Sequence, residues 1–322
     1  MEPLPGGANF LRAKTLWEIG LYIAGNPETK YGGNRDMCIV VGSGSGTTFK
    51  PWLRLATGAA VLAEAVAAGE LELAFVNPSA MLTQAYRGVG IFTRPLPLRV
   101  VAQYPSWDRF VCAVHPRTGI ASLADIKAKK IPLKLSLREE RDHSTRALID
   151  QLFGLYGFTL QDLESWGGTF QYVGPPGDVR RINAMKAGEI EAILDEGISH
   201  NEWFEQALAN GWKAIEFEPE ITAELEKLGW RRVVIPKGRY PHLTQDYACL
   251  DFSGWPLYTS ANLPDDAAYA MVAGIAAREA QIPWEDGAFT GIGQLGQDTE
   301  ATPLDVPLHP GAERYYREHG YL

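Results

Sequence analysis

AVAAGELELAFVNP (residues 65–78) and AMKAGEIEAILDEG (residues 184–197) are two versions of one phrase, and reading them together decides the fold. Their shared glycines, Gly69 and Gly188, lie 119 residues apart. Each glycine follows a helix-like run and precedes an apolar, strand-like run. Glycine just past the last helical residue is the usual stop, because it takes the left-handed conformation without steric cost. Each copy therefore reads as helix, stop, strand, and a loop at the carboxyl end of the strand. Those loops are Asn77-Pro78-Ser79 and Asp195-Glu196-Gly197.

Working outward, helical and extended runs alternate along most of the chain, which is the α/β signature. The spacing predicts helices over 11–25, 58–69, 120–130, 144–157, 178–188 and 265–279, with further helix through 200–228. Ser122 is the expected cap of the third, and Ser144 or Asp142 that of the fourth. Strands are expected at 37–41, 71–77, 98–105, 109–116, 131–137, 170–174, 190–197 and 231–236, and 42–58 reads as a long loop. Two extended crossings, near 110–117 and 231–240, are the expected connections between halves. In open α/β sheets ligands sit beyond the carboxyl ends of the strands. Two such sheets facing one another make a cleft, with one loop of the repeated phrase on each side.

Composition sets the functional bounds. The 322 residues are enough for roughly two domains. A net charge of −9 argues against nucleic acid or an anionic membrane as main partner, since both select basic patches. Cys38, Cys112 and Cys249 are scattered through apolar runs and read as buried thiols. No metal-binding spacing occurs, and no apolar run is long enough to span a membrane. The first residues carry no basic, apolar and small-residue succession of a signal peptide. As written, the chain reads as cytosolic, or as a mature form exported by a signal outside it.

Five stretches carry candidate site residues. In GGANF (6–10), Gly7 and Asn9 are positioned to donate to an anion at a helix start, and Phe10 to wall a pocket. In GSGSGTTF (42–49), Ser43, Ser45 and Thr47 offer hydroxyls and backbone N–H groups after a strand. Asn77 and Asp195-Glu196 close the two copies of the repeated phrase. The Asn77 amide can contact either end of a ligand. A carboxylate at 195–196 can hold a ligand ammonium group, order an arginine or cap the following helix. SLREERDHST (136–145) is a concentrated cationic set at a strand end. There Arg138 and Arg141 are candidate carboxylate clamps, Arg138 the nearer to the strand. Ser136, His143 and Ser144 add donors. The plainer reading of that stretch is a solvated loop in which Glu139, Glu140 and Asp142 neutralise the arginines. Trp107 and Tyr240, near the expected crossings, read first as core packing and second as cleft aromatics.

Beyond these, the order of the helix-Gly-Glu-strand units resembles TAXI-type substrate-binding proteins, the extracytoplasmic receptors of tripartite TRAP transporters. The same likeness runs through LRVVAQYP (98–105), GIASLADIKAKKIPLKLS (119–136) and VPLHPGAERYYREHGYL (306–322). The resemblance implies a two-lobed periplasmic-binding-protein, or Venus flytrap, fold, each lobe a mainly parallel sheet flanked by helices. Residues 1–115 with 237–322 would form one lobe, and 116–236 the other. It implies capture of a small organic anion, carboxylate or amino-acid-like, in the cleft, with no cofactor, a periplasmic location and delivery to TRAP membrane subunits. The sequence departs from the family in three places: no strand precedes the Gly-Gly turn, the loop at 42–58 is longer than the family's equivalent, and SLREERDHST is more charged than the family's turn. Two other readings use the same cleft: a cytosolic ligand sensor, and a decarboxylase- or desulfinase-like enzyme. The enzyme requires a cysteine thiolate in an electropositive cleft.

Overall fold

Both copies of the repeated phrase fold as their glycines dictate. Gly69 and Gly188 each take φ +73°. In the first copy Gly69 N–H donates to Val66 O (3.1 Å) and Glu70 N–H to Ala65 O (2.8 Å). In the second, Gly188 N–H donates to Met185 O (3.2 Å) and Glu189 N–H to Ala184 O (2.9 Å). These paired bonds satisfy the last carbonyls of each helix and turn the chain into its strand.

The computed structural model describes residues 38–42, 52–56, 60, 62–141, 143–197, 203–282, 284–285 and 287–322. The expected first helix (11–25) lies outside the described residues. In chain order the first elements are β1 (Cys38–Gly42), β2 (Trp52–Ala56), α1 (Leu62–Ala67), β3 (Leu73–Phe75), α2 (Ser79–Arg87), β4 (Leu98–Tyr104) and β5 (Arg109–Val114). Next come α3 (Ala124–Lys129), β6 (Lys134–Arg138), α4 (Ser144–Tyr156), α5 (Leu160–Ser165), β7 (Thr169–Val173), α6 (Val179–Ala187) and β8 (Ala192–Glu196). The remainder is α7 (Trp203–Ala209), β9 (Lys213–Ala214), α8 (Pro219–Lys227), β10 (Arg232–Ile235), β11 (Tyr247–Asp251), β12 (Trp255–Ser260), α9 (Asp265–Ala277) and α10 (Pro310–Glu318).

The strands form two sheets, ordered β1-β2-β3-β12-β4 and β10-β11-β5-β8-β6-β7, with β9 beside β5. The fold is α/β, as expected. The sheets are mixed where mainly parallel ones were expected. Among the described strands, parallel pairing occurs at β2/β3, β6/β7 and β6/β8, with one parallel bridge between Val100 and Leu308, and the hairpin and return strands run antiparallel to their neighbours. Residues 52–56, expected within a loop, form β2, which pairs with β1 from Cys38↔Ala56 to Gly42↔Trp52. The helix expected through 200–228 is broken into α7 and α8 by β9. Gly211, at φ +77°, ends the one, and Pro219 starts the other.

The expected crossings at 110–117 and 231–240 lie instead within the second sheet. All six residues of β5 are buried, and an exposed connector would not bury RFVCAV. The chain changes sheet at 105–108 and 252–254. There Phe252 N–H donates to Asp108 O (3.1 Å) and Gly254 N–H to Ser106 O (3.0 Å), so the two passages lie side by side. Arg109, fully buried, locks them. Its Nη1 reaches Asp251 Oδ1 (2.9 Å), Ser253 Oγ (2.6 Å) and Asp108 O (2.8 Å), while Nη2 meets Glu300.

Layering follows from alternation along the strands. Val111 and Ala113 of β5 face Trp203, Phe204 and Trp212, whereas Phe110, Cys112 and Val114 face the other side. That other side is continuous with the first sheet. One apolar cluster holds Ala74, Leu98 and Val100 of the first sheet and Leu135, Leu137 and Leu194 of the second. Between them lies α2, with seven successive residues, Ser79 to Ala85, buried. Burial on all sides is the mark of a helix inside a core. It approaches the second sheet's helices so closely that a Cβ on Gly229 would stand 2.8 Å from Thr83 Cγ2. The outer face of the first sheet is covered by α9 and α10 through Val272, Ala312 and Tyr316.

Replacing Gly69 or Gly188 by alanine should lower the free energy of unfolding by about 1–2 kcal/mol each in urea titrations, because alanine resists the left-handed conformation. The cost at Gly69 is conformational alone, since a Cβ there meets nothing within 4 Å.

Candidate functional site

The two loops of the repeated phrase meet. Asn77, at the end of the first copy, donates from Nδ2 to Oε2 of Glu196, at the end of the second, at 3.1 Å. These residues occupy equivalent positions, eight past their glycines, so the internal repeat brings its own counterparts together across the two sheets. Ser144 Oγ, in the first turn of α4, donates to the Asn77 carbonyl oxygen. His143 caps that helix, where Ser144 or Asp142 was expected. Its Nδ1 accepts from Thr145 N–H at 3.2 Å, which leaves the proton on Nε2. His143 Nε2 lies 3.5 Å from Glu196 Oε1.

Beneath Glu196 lies an ion cluster with almost no exposure. β6 delivers Arg138 and β8 delivers Asp195 and Glu196 because their ends lie side by side in the sheet. Arg138 donates from Nε to Asp195 Oδ1 (3.1 Å), from Nη1 to Gly174 O (3.2 Å) and from Nη2 to Glu196 Oε1. Arg181, from α6, donates from Nη1 to Asp195 Oδ2 (2.5 Å) and from Nε to Ser136 Oγ (3.0 Å). Asp195 also accepts from Glu196 N–H at 2.9 Å. Burial opposes ionisation of Asp195, yet Arg138 and Arg181, helped by His143, hold its carboxyl below the ordinary range. Burial likewise opposes the charge on Arg138, and Asp195 and Glu196 overcome it, raising the guanidinium further. The acids that bond directly to Arg138 come from β8, and Glu140, beside it in sequence, adds a smaller attraction.

The structure thus brings together Asn77, Ser136, Arg138, His143, Ser144 and Glu196. Arg141 is exposed and makes none of these contacts. Gly7, Asn9, Phe10, Ser43, Ser45 and Thr47 lie outside the described residues. Trp107 is half-buried and sandwiched between the guanidinium groups of Arg109 (4.2 Å) and Arg239 (4.7 Å). Tyr240 packs edge-on against Phe204. Sequence reasoning missed Arg181, which sits on the same stripe of α6 as buried Ala184 and Met185. A lone arginine at i of an i, i+3, i+4 apolar stripe was the available signal. Cys112 and Cys249 are fully buried, and burial pushes both thiols well up, away from the thiolate. Among the described residues, no group of three or more His, Cys, Asp or Glu is arranged to hold a metal ion. No described helix is long and apolar enough to cross a membrane.

The model of the NMT1-like family matches residues 54–320. Among solved structures, the periplasmic aliphatic sulphonate binding protein SsuA from Escherichia coli is similar at 16% identity, with a TM-score of 0.31. That match covers 69% of this chain and 58% of SsuA. XAC2383 from Xanthomonas citri, bound to ATP, shares 12% identity over 80% of this chain and 79% of its own, with a TM-score of 0.38. Lactococcal OpuAC, in its closed-liganded conformation with glycine betaine, shares 11% identity over 81% and 82%, with a TM-score of 0.36.

Asp195→Ala should cost about 3–5 kcal/mol in chemical denaturation, because it leaves two buried guanidinium groups short of a partner. The acid limb carries the same signature. A carboxyl whose folded pKa is depressed stabilises the fold above its unfolded value of about 3.9, and that stability is lost as pH falls through the folded value. Asp195→Asn should flatten the stability profile below about pH 4.

Proposed function

This chain belongs to the NMT1-like family, and from that membership and the Arg138 cluster we propose that it is a solute-binding protein. In this reading it captures a small organic anion, a carboxylate or an amino-acid-like molecule, between its two sheets, and performs no chemistry on it. The observation that carries the reading is the Asn77–Glu196 contact. It joins equivalent loops of an internal repeat at the carboxyl ends of strands from different sheets, where α/β folds place ligands.

Each sheet with its helices is one lobe, and the chain passes between lobes at 105–108 and 252–254. Arg138 supplies a planar guanidinium suited to a carboxylate. Ser144 and the first turn of α4 supply donors and a favourable helix end. Asn77 brings the other lobe's contribution. A ligand touching both lobes favours the arrangement in which they meet, which couples affinity to the movement of one lobe against the other. The likeness to TAXI-type receptors in the order of units and in the segments 98–105, 119–136 and 306–322 supports a finer assignment. It is that of an extracytoplasmic, periplasmic receptor delivering its ligand to TRAP membrane subunits. The thiol-dependent enzyme is the weaker reading, since Cys112 and Cys249 are buried and held as thiols.

A thermal-shift panel of amino acids, 2-hydroxy acids, 2-oxo acids and dicarboxylates tests the proposal. A true ligand at about 100 times its Kd should stabilise the fold by about 2.7 kcal/mol. The shift should vanish in Arg138→Gln, and NMR of the mixture should show the ligand unconsumed after long incubation. A ligand that disappears would establish the enzyme instead.

A further inference from the structure

Resting on that binding reading, we propose that Glu196 is an internal stand-in for the ligand, whose own carboxylate displaces it and whose C2 substituent donates a hydrogen bond to Asn77.

Three donors from separate elements converge on the Glu196 carboxylate. Arg138 Nη2, at the end of β6, and His143 Nε2, at the start of α4, face Oε1. Asn77 Nδ2, from the other sheet, donates to Oε2. A guanidinium, an imidazole N–H and an amide are the donor set a receptor would offer a carboxylate arriving from solution. Here a side chain of the protein fills it.

Charge balance explains why the place must be filled. Arg138 and Arg181 share Asp195, and Arg146 donates to the Arg138 carbonyl oxygen at 3.1 Å. Glu140 acts on Arg138 from the same loop. Arg146 and Glu140 are only partly buried, and Arg146 also has Asp150 beside it. Among the cluster's fully buried groups, two positive charges, Arg138 and Arg181, meet one negative charge, Asp195, before Glu196 is counted. With Glu196 in place the buried set is neutral. With Glu196 swung aside it carries one positive charge, and a monoanionic carboxylate restores neutrality. A buried unpaired charge is costly, so one carboxylate should enter as the other leaves.

The second half of the proposal rests on Asn77. Its Nδ2 must face Glu196, because the reverse orientation would set the amide oxygen against a carboxylate. Its Oδ1 is then buried with no hydrogen-bond partner among the described residues. A buried acceptor left unmade is costly, and a ligand N–H or O–H next to the bound carboxylate would satisfy it. A 2-oxo group offers only acceptors there. The site should thus prefer 2-hydroxy or 2-amino carboxylates to their 2-oxo counterparts.

The test uses isothermal titration of wild type, Glu196→Gln and Glu196→Asp. The probes are lactate, alanine and pyruvate, and their dicarboxylate counterparts 2-hydroxyglutarate, glutamate and 2-oxoglutarate. Circular dichroism melts establish that each variant is folded. Glutamine keeps the shape of Glu196 but not its charge, so Glu196→Gln should bind its preferred 2-hydroxy or 2-amino probe roughly tenfold tighter than wild type. Glu196→Asp, whose carboxylate is one methylene short, should fall between. The matching 2-oxo probe should bind roughly tenfold more weakly than the hydroxy form, and Asn77→Ala should erase that difference. Equal or weaker binding by Glu196→Gln overturns the stand-in while leaving the binding reading intact. Equal affinity for 2-hydroxy and 2-oxo probes overturns the role of Asn77. Binding of no probe by any of the proteins overturns this inference and the binding reading together.

Discussion

Asp195 sits at zero exposure between two guanidinium groups, and the arrangement of the second sheet depends on that pairing. A lone buried carboxylate costs several kcal/mol, and two lone buried arginines cost more. Paired, they become geometric constraints. Asp195 is fixed by the β8 ladder. Arg138 comes from the end of β6, and Arg181 from the body of α6. Satisfying both oxygens of one carboxylate sets the spacing between that strand end and that helix within a few tenths of an ångström. Glu196 inherits its position as the next residue, and Asn77 of the other sheet finds it there. The polar contact between the sheets is thus the outermost shell of an ion cluster whose centre is wholly inside one of them.

A second constraint comes from α2, which belongs by sequence to the first sheet and by packing to both. Gln84 Oε1 accepts from Gln151 Nε2 at 3.0 Å, and Gln151 Oε1 accepts from Trp230 Nε1 at 2.7 Å. This relay runs through apolar surroundings, where a misplaced amide would lose its partner outright, so it fixes how α2 seats against α4. On the binding reading, any movement of one lobe against the other has to work around α2 or carry it along. The side-by-side passages at 105–108 and 252–254, clamped by Arg109, are the pivot such a movement would use. The strap at 298–305 ties the same region: Arg231 grips Asp305 through two bonds (2.9 and 3.1 Å) and Asp298 through a third (3.0 Å).

What was legible in the sequence was whatever local chemistry dictates. Gly69 and Gly188 declared two helix ends, and the strands after them followed. Arg138 was singled out because it stands at the end of KLSLR, and a strand end is a fixed address. What was not legible depends on partners distant in sequence. WLRLA looked like part of a glycine-rich loop because its strand character exists only once CIVVG lies antiparallel to it. RFVCAV and YACLD were recognisably apolar, but nothing in either says that they are neighbours in the second sheet. Arg181 was not singled out, because the carboxylate that draws it inside lies on another element. Arg138 had two sets of acids open to it in the sequence, its own neighbours and Asp195-Glu196, and only proximity in space gives Asp195 and Glu196 the direct bonds.

Catalysis by a cysteine needs the thiolate stabilised, and Cys112 and Cys249 sit in apolar strand interiors that do the reverse. Here the polar investment is concentrated in a cluster that is charge-balanced and hydrogen-bonded. It is bonded within its own sheet and joined to the other by a few side chains. A proton-transfer site would set titratable groups close to neutral pH. In this cluster Asp195 is driven further from neutrality, and so is Arg138. On the binding reading, groups held in their charged forms would select a ligand by charge and geometry. The repeated phrase then has a physical meaning. One supersecondary unit, written twice, places a hydrogen-bonding side chain at the edge of each sheet, and the fold sets the two edges against each other at hydrogen-bond distance.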